Sequence, residues 1–158
     1  MNSLNNNDLK KSTFILRLDH KYFRNENICL GGQLVEIINC IKEETSDLVW
    51  FTFDVLASSN QVVKELFPDE YSKFLNTEEL IQKANEIIQF YSGVFIGIKK
   101  GKHVEWNFDR LPDTEEDEGL QHLEAEIEIR PFDTSYFEVY GMDRSIEYKI
   151  KSCLMLSN

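Results

Sequence analysis

The sequence predicts an α+β domain: a mostly antiparallel sheet of about six strands with helices packed on one face. Three observations lead there. Four short apolar or alternating segments follow one another late in the chain, at 94–98, 104–108, 125–129 and 136–140, and strands without intervening helices form antiparallel meanders. Leu34, Ile37, Ile38 and Ile41 fall at i, i+3, i+4 and i+7, one face of a helix. The stretch 48–56 is short, aromatic and β-branched, the pattern of a central strand covered on both faces.

Taken in order, residues 1–12 are polar, Asn-rich and without periodicity, and read as a disordered tail before a single domain over 13–158. Phe14, Leu16 and Leu18 alternate with Ile15 and Arg17 as a first strand. Gly31-Gly32 breaks the chain before the first helix. After 48–56, Ser58 or Ser59 is placed to cap a short helix through Val62, Val63, Leu66 and Phe67, ended by Pro68. A second helical turn carries Tyr71, Phe74 and Leu75. Asn76 caps the next helix, and Glu79 closes a capping box with it. Leu80, Ala84, Ile87, Ile88 and Tyr91 supply that helix's apolar face, and Gly93 stands just past its end.

A hairpin follows, from 94–98 through a turn at Gly101 into 104–108. In 125–129 the apolar residues face in while Glu124, Glu126 and Glu128 face water. A turn at 131–134 leads to the last strand, 136–140, and Asp143 caps a final helix with Ile146, Ile150, Cys153 and Leu154 on its apolar face. The irregular stretch is 109–123.

The net charge of the 158-residue chain is −11, which argues against binding nucleic acid or an anionic membrane surface. No apolar run approaches the roughly 20 residues of a membrane helix, and the first residues lack the apolar core of a signal peptide. Cys29, Cys40 and Cys153 are odd in number and widely spaced, which suits a reducing cytoplasm better than a disulfide framework. Cys40 and Cys153 fall on or beside apolar helical faces, as small core residues do. Cys29 lies in a loop-like stretch and is expected to be the accessible thiol. No phosphate-binding loop, zinc-protease or nucleophile-elbow motif is present, so neither catalysis nor a cofactor is expected.

The charge is one-sided. Residues 109–128 hold nine acids and one base, Arg110, so they carry −8 of the −11. One reading is a solvated loop followed by the polar face of an edge strand. The other is a docking surface for a basic partner, since clustered charge steers encounter and selects partners of opposite sign. A calcium loop does not fit. Counting from Asp113, the sixth position is Glu118 where an EF-hand needs glycine, and Gly119 comes one place late. Tyr136, Glu138 and Tyr140 share a strand face opposite Phe137 and Val139, which puts them on the open face of the sheet or packs them across strands. The predicted contact set is therefore Asp113, Glu115, Glu116, Asp117, Glu118, Glu126, Glu128, Tyr136, Glu138 and Tyr140.

The run from Ile127 to Tyr140, IEIRPFDTSYFEVY, resembles the C-terminal strand–turn–strand of small bacterial immunity-type proteins, which neutralise a cognate toxin. In that group a short charged helix follows, as 143–151 does here, and 48–55 with the helix and strand of 80–98 fits the same layout. The group shares no catalytic motif, so no functional residue carries over. The resemblance implies a cytoplasmic protein that occludes one toxin. The rival readings are a small cytoplasmic enzyme using His20 or Cys29 in a cleft, and an adaptor domain with another protein partner.

Overall fold

In a computed structural model, which describes residues 9–71 and 73–157, the sequence patterns resolve into five strands and five helices. They run β1 (Phe14–Leu18), α1 (His20–Phe23), α2 (Gly31–Cys40), β2 (Leu48–Ser59), α3 (Val63–Leu66), α4 (Thr77–Asn85), β3 (Ile87–Lys99), β4 (Ala125–Phe132), β5 (Tyr136–Gly141) and α5 (Arg144–Ser157). One antiparallel sheet has the order β1-β5-β4-β3-β2. The fold is α+β, with five strands rather than six.

The helices pack on one face. Leu34, Ile37 and Ile38 of α2, Leu80 and Ala84 of α4, and Ile150 and Leu154 of α5 meet Trp50, Phe95, Ile127, Ile129, Phe137 and Val139 of the sheet. Gly31 is required at the start of α2, because a Cβ there would sit 2.2 Å from the carbonyl oxygens of Ala84 and Ile87. The Asn76–Glu79 capping box forms as the sequence indicates, with Asn76 Oδ1 accepting from Glu79 N at 2.8 Å and Glu79 Oε1 from Asn76 N at 3.1 Å. At α5, Asp143 Oδ1 accepts from Ser145 N at 2.9 Å.

Several local expectations are overturned. Residues 87–91 extend β3 instead of ending α4, because their β-branched and aromatic side chains suit a strand and a longer β2 offers partners, as in Ala57↔Phe90 and Ser59↔Ile87. Ser58 and Ser59 are therefore strand residues, and the cap of α3 is Val62. Leu75 is not in a helical turn but forms a two-way backbone bridge with Trp50, at 2.7 and 2.8 Å. Residues 104–108 form no strand, since both edges of β3 are taken by β2 and β4. The short α1 is an element the sequence reading lacks.

The face away from the helices is not open. The segment 100–124 crosses it and builds a second apolar cluster, in which Trp106 and Leu120 pack on Val49, Phe51, Phe53, Val94, Ile96, Ile98 and Tyr140. Of the polar tail, residues 1–8 lie outside the described residues. Lys10 within it is docked: its backbone pairs with Leu120 at 2.7 and 2.8 Å.

The cysteines also differ from expectation. Cys40 and Cys153 are joined in a disulfide that ties α2 to α5 across 113 residues, with Cα atoms 5.7 Å apart. Cys29, expected to be accessible, is fully buried, and its Sγ donates to the Tyr136 carbonyl at 3.2 Å. Reducing the bridge, or making Cys153→Ser, is expected to lower unfolding free energy by about 2–4 kcal/mol, because the bridge closes a long loop in the unfolded chain. Urea unfolding in matched buffers reads this directly; an unchanged midpoint would mean the two thiols are not paired in solution.

Candidate protein-docking surface

The acidic loop rests on a buried ion pair. In β4, Ile127 and Ile129 point to the helices, so Glu128 and Arg130 point to the opposite face, under the loop. Both are buried, and Arg130 Nε donates to Glu128 Oε2 at 2.6 Å. The rest of the guanidinium clasps the loop from below. Nη1 donates to the Glu116 carbonyl at 2.7 Å, and Nη2 to those of Gly119 at 2.7 Å and Asp117 at 3.3 Å. The Tyr140 ring lies 4.5 Å from the guanidinium carbon.

Glu128 is held with equal care. Gln121 donates its backbone N–H to Oε1 at 2.7 Å and its side-chain Nε2 to Oε2 at 2.8 Å. Burial pushes the Glu128 carboxyl above the ordinary glutamate value, while Arg130 foremost and the Gln121 donors pull it down. With three donors on its two oxygens, the geometry serves the charged form. Gln121 also exchanges bonds with the Asp113 backbone, at 2.9 and 3.0 Å, which closes the loop on itself.

Three further anchors fix the segment. Asp54 sits at φ +53 in a bulge of β2, where the register slips between Phe53 and Leu56. Its Oδ2 accepts from Thr114 N at 3.1 Å and Thr114 Oγ1 at 2.8 Å, and that hydroxyl oxygen accepts from Gly93 N at 2.8 Å. Lys10 Nζ donates to the carbonyls of Leu123 at 2.8 Å and Ala125 at 3.2 Å. His122 is buried against Trp106, with ring centroids 4.6 Å apart. Its Nδ1 accepts from Glu124 N at 2.9 Å, which puts the ring proton on Nε2, 3.1 Å from the Glu105 carbonyl.

The predicted contact residues divide accordingly. Asp113, Glu115, Asp117 and Glu118 are exposed on the outer side of the loop, and Glu116 and Glu126 are half-buried at its margins. Glu116 lies 3.5 Å from Arg110, and Glu126 lies 3.9 Å from Lys99. Glu128 and Tyr140 are corrected: at 0% and 1% exposure neither can touch a partner, because the loop covers their face. Tyr136 and Glu138 are half-buried in a separate surface group. Arg17 lies 4.0 Å over the Tyr136 ring and 3.1 Å from Glu138, and Tyr136 stacks on Phe132 at 5.3 Å. The residues that sequence reasoning missed are Arg130, Gln121, Thr114, Asp54 and Lys10, which hold the loop from within.

The residues of the enzymatic alternative are apart in character. His20 is exposed and lines a surface cleft with Arg24, Glu26 and Ser135, whose lining does not include Cys29. Burial pushes the Cys29 thiol up to about 11, so it is protonated and unsuited to nucleophilic attack at neutral pH. Among the described residues no group of three or more His, Cys, Asp or Glu is arranged to hold a metal ion, and no helix is long and apolar enough to cross a membrane. Comparison with protein-family models, curated proteins and solved structures finds no match to this chain.

The His122 anchor makes the loop sensitive to acid. Burial, the largest effect, lowers its pKa below the ordinary histidine value, so the unfolded chain takes up the proton more readily than the folded one. Stability is expected to fall as pH drops below about 6.5, the unfolded histidine value, with protonation of Nδ1 breaking the Glu124 bond. Urea unfolding at neutral and mildly acid pH, on the native chain and on His122→Asn, measures it. A pH slope unchanged by the substitution would remove His122 as its source.

Proposed function

We propose that this chain is an immunity-type binding protein that neutralises a cognate, basic bacterial toxin by occluding it with its acidic loop. The observation that carries the reading is the outward display of Asp113, Glu115, Asp117 and Glu118 on a backbone tied down from beneath by Arg130, Gln121 and Asp54. The clasp seats the loop over the second apolar cluster, and the same fixed backbone suits a docking surface. Fixing the backbone beforehand lowers the ordering cost of association, and the clustered charge steers a basic partner into place. The resemblance of the Ile127-to-Tyr140 segment and the following charged helix to immunity-type proteins supports the same reading.

The mechanism is masking, by shape and charge, and requires no catalytic group or cofactor. Contact residues are the four exposed acids with Glu116 and Glu126 at the margin, and Tyr136 and Glu138 where the interface extends to β5. Cytoplasmic action applies to the chain with Cys40 and Cys153 reduced, since bridges persist in oxidising compartments.

The test uses the toxin encoded beside this chain's gene. Reversing Glu115, Asp117 and Glu118 to lysine is expected to slow association at least about tenfold at low salt. The difference is expected to shrink as ionic strength approaches roughly 0.5 M, while the melting temperature stays put. Unchanged association rate and salt dependence, with binding intact, would remove the acidic loop from the interface. A neighbouring product that neither forms a complex with this chain nor is neutralised by it would sink the immunity reading itself.

A further inference from the structure

We propose that the groove between the outer face of β2, the turn at 100–102 and the start of α4 binds a small monocarboxylate with an apolar body. The floor is Val49 and Phe51, with Val104 and Phe74 as walls, and Lys100 and Lys102 border it. Its volume, about 540 Å³, is that of a small-molecule site. Two features mark it off from the rest of the surface.

The first is the aromatic lining. Phe74 is 55% exposed and meets the Phe51 ring edge-on at 6.0 Å, and Phe51 in turn meets Trp106 at 5.3 Å. An apolar ring left in water over an apolar floor is a surface that an apolar body would dry. The second is charge. In a chain of net charge −11, a groove whose lining holds two lysines against one acid, Glu79, is of the opposite sign to the molecule. Lys100 makes no ion pair with a carboxylate among the described residues, and Lys102 reaches Glu124 only at 3.8 Å, with both side chains half in water. Glu79, which also lines the groove, has one carboxylate oxygen on the Asn76 N–H at 3.1 Å. Lys100 is therefore open to a ligand, Lys102 shares only a long, half-solvated contact with Glu124, and a carboxylate complements the pair.

The occupant that matches this pairing has a flat or short aliphatic body for Val49, Phe51 and Phe74, and a single carboxylate for the lysine turn. The site stands apart from the acidic loop's exposed carboxylates, and it does not depend on the toxin reading.

Amide-resolved NMR titration of the full chain tests it, with phenylbutyrate as the probe and phenylbutanol as its neutral twin. The acid is expected to shift the amides of Asn76 and of 100–104 saturably, with a dissociation constant on the order of 1 mM for so small a ligand. The alcohol is expected to bind about tenfold more weakly, the scale of one charge-assisted contact. In Lys100→Met/Lys102→Met, which keeps the stems and removes the charges, the acid is expected to bind no better than the alcohol. The proposal is overturned by the absence of saturable shifts, by shifts centred elsewhere, or by equal binding of acid and alcohol. It is also overturned if raising protein concentration alone moves the same amides, which would make the groove a contact between copies of the chain.

Discussion

Glu128 and Arg130 lie side by side in the middle of the sheet, out of water, and the segment 113–121 is laid over them. Burying two charges is costly, and their mutual attraction repays the cost only where further hydrogen bonds satisfy the remaining donors and acceptors. Here those bonds come from the loop: three of its carbonyls to the guanidinium and two Gln121 N–H groups to the carboxylate. The pair needs the loop to be satisfied, and the loop needs the pair to have one shape. Such a network is weak evidence for stability and better evidence for specification of a single arrangement.

The same constraint explains the two-sided sheet. Helices cover one face with apolar side chains. The other is covered by chain that has no regular structure and must find partners for its backbone polar groups. Arg130, Asp54 and Lys10 supply them. Because the backbone is satisfied from below, the side chains of Asp113, Glu115, Asp117 and Glu118 are displayed to water. The segment is both the lid of the second core and the most acidic surface of the molecule.

Much of this was legible in the sequence, and the failures have physical causes. The alternation in 14–18, the apolar face of α2 and the Asn76 capping box are local signals, and they held. The stretch 87–91 failed because its spacing suits a helix and a strand alike, and only the extension of β2 through Ser59 decides it. The stretch 104–108 has strand composition, but β3 has no free edge to accept it, a fact of topology that no local window contains. The acidic surface was legible as charge, yet Glu128 and Tyr140 were assigned to it because alternation cannot tell an exposed face from one covered by a loop. The one available hint was an arginine two residues after Glu128, on the same strand face. The disulfide was missed because Cys40 and Cys153 are brought together only by the packing of α5 on α2.

The Glu128–Arg130 pair fixes the acidic loop rather than merely sitting beneath it. Amide hydrogen exchange on Glu128→Gln/Arg130→Met tests this most directly, because removing both charges leaves neither one buried alone. Amides over 113–121 are expected to lose protection while those of Ile37 and Ile38 in α2 keep theirs. Loop amides as slow to exchange as in the native chain would contradict it. Loss of protection in both regions would contradict it too, by making the pair a requirement for folding rather than a clasp on the loop.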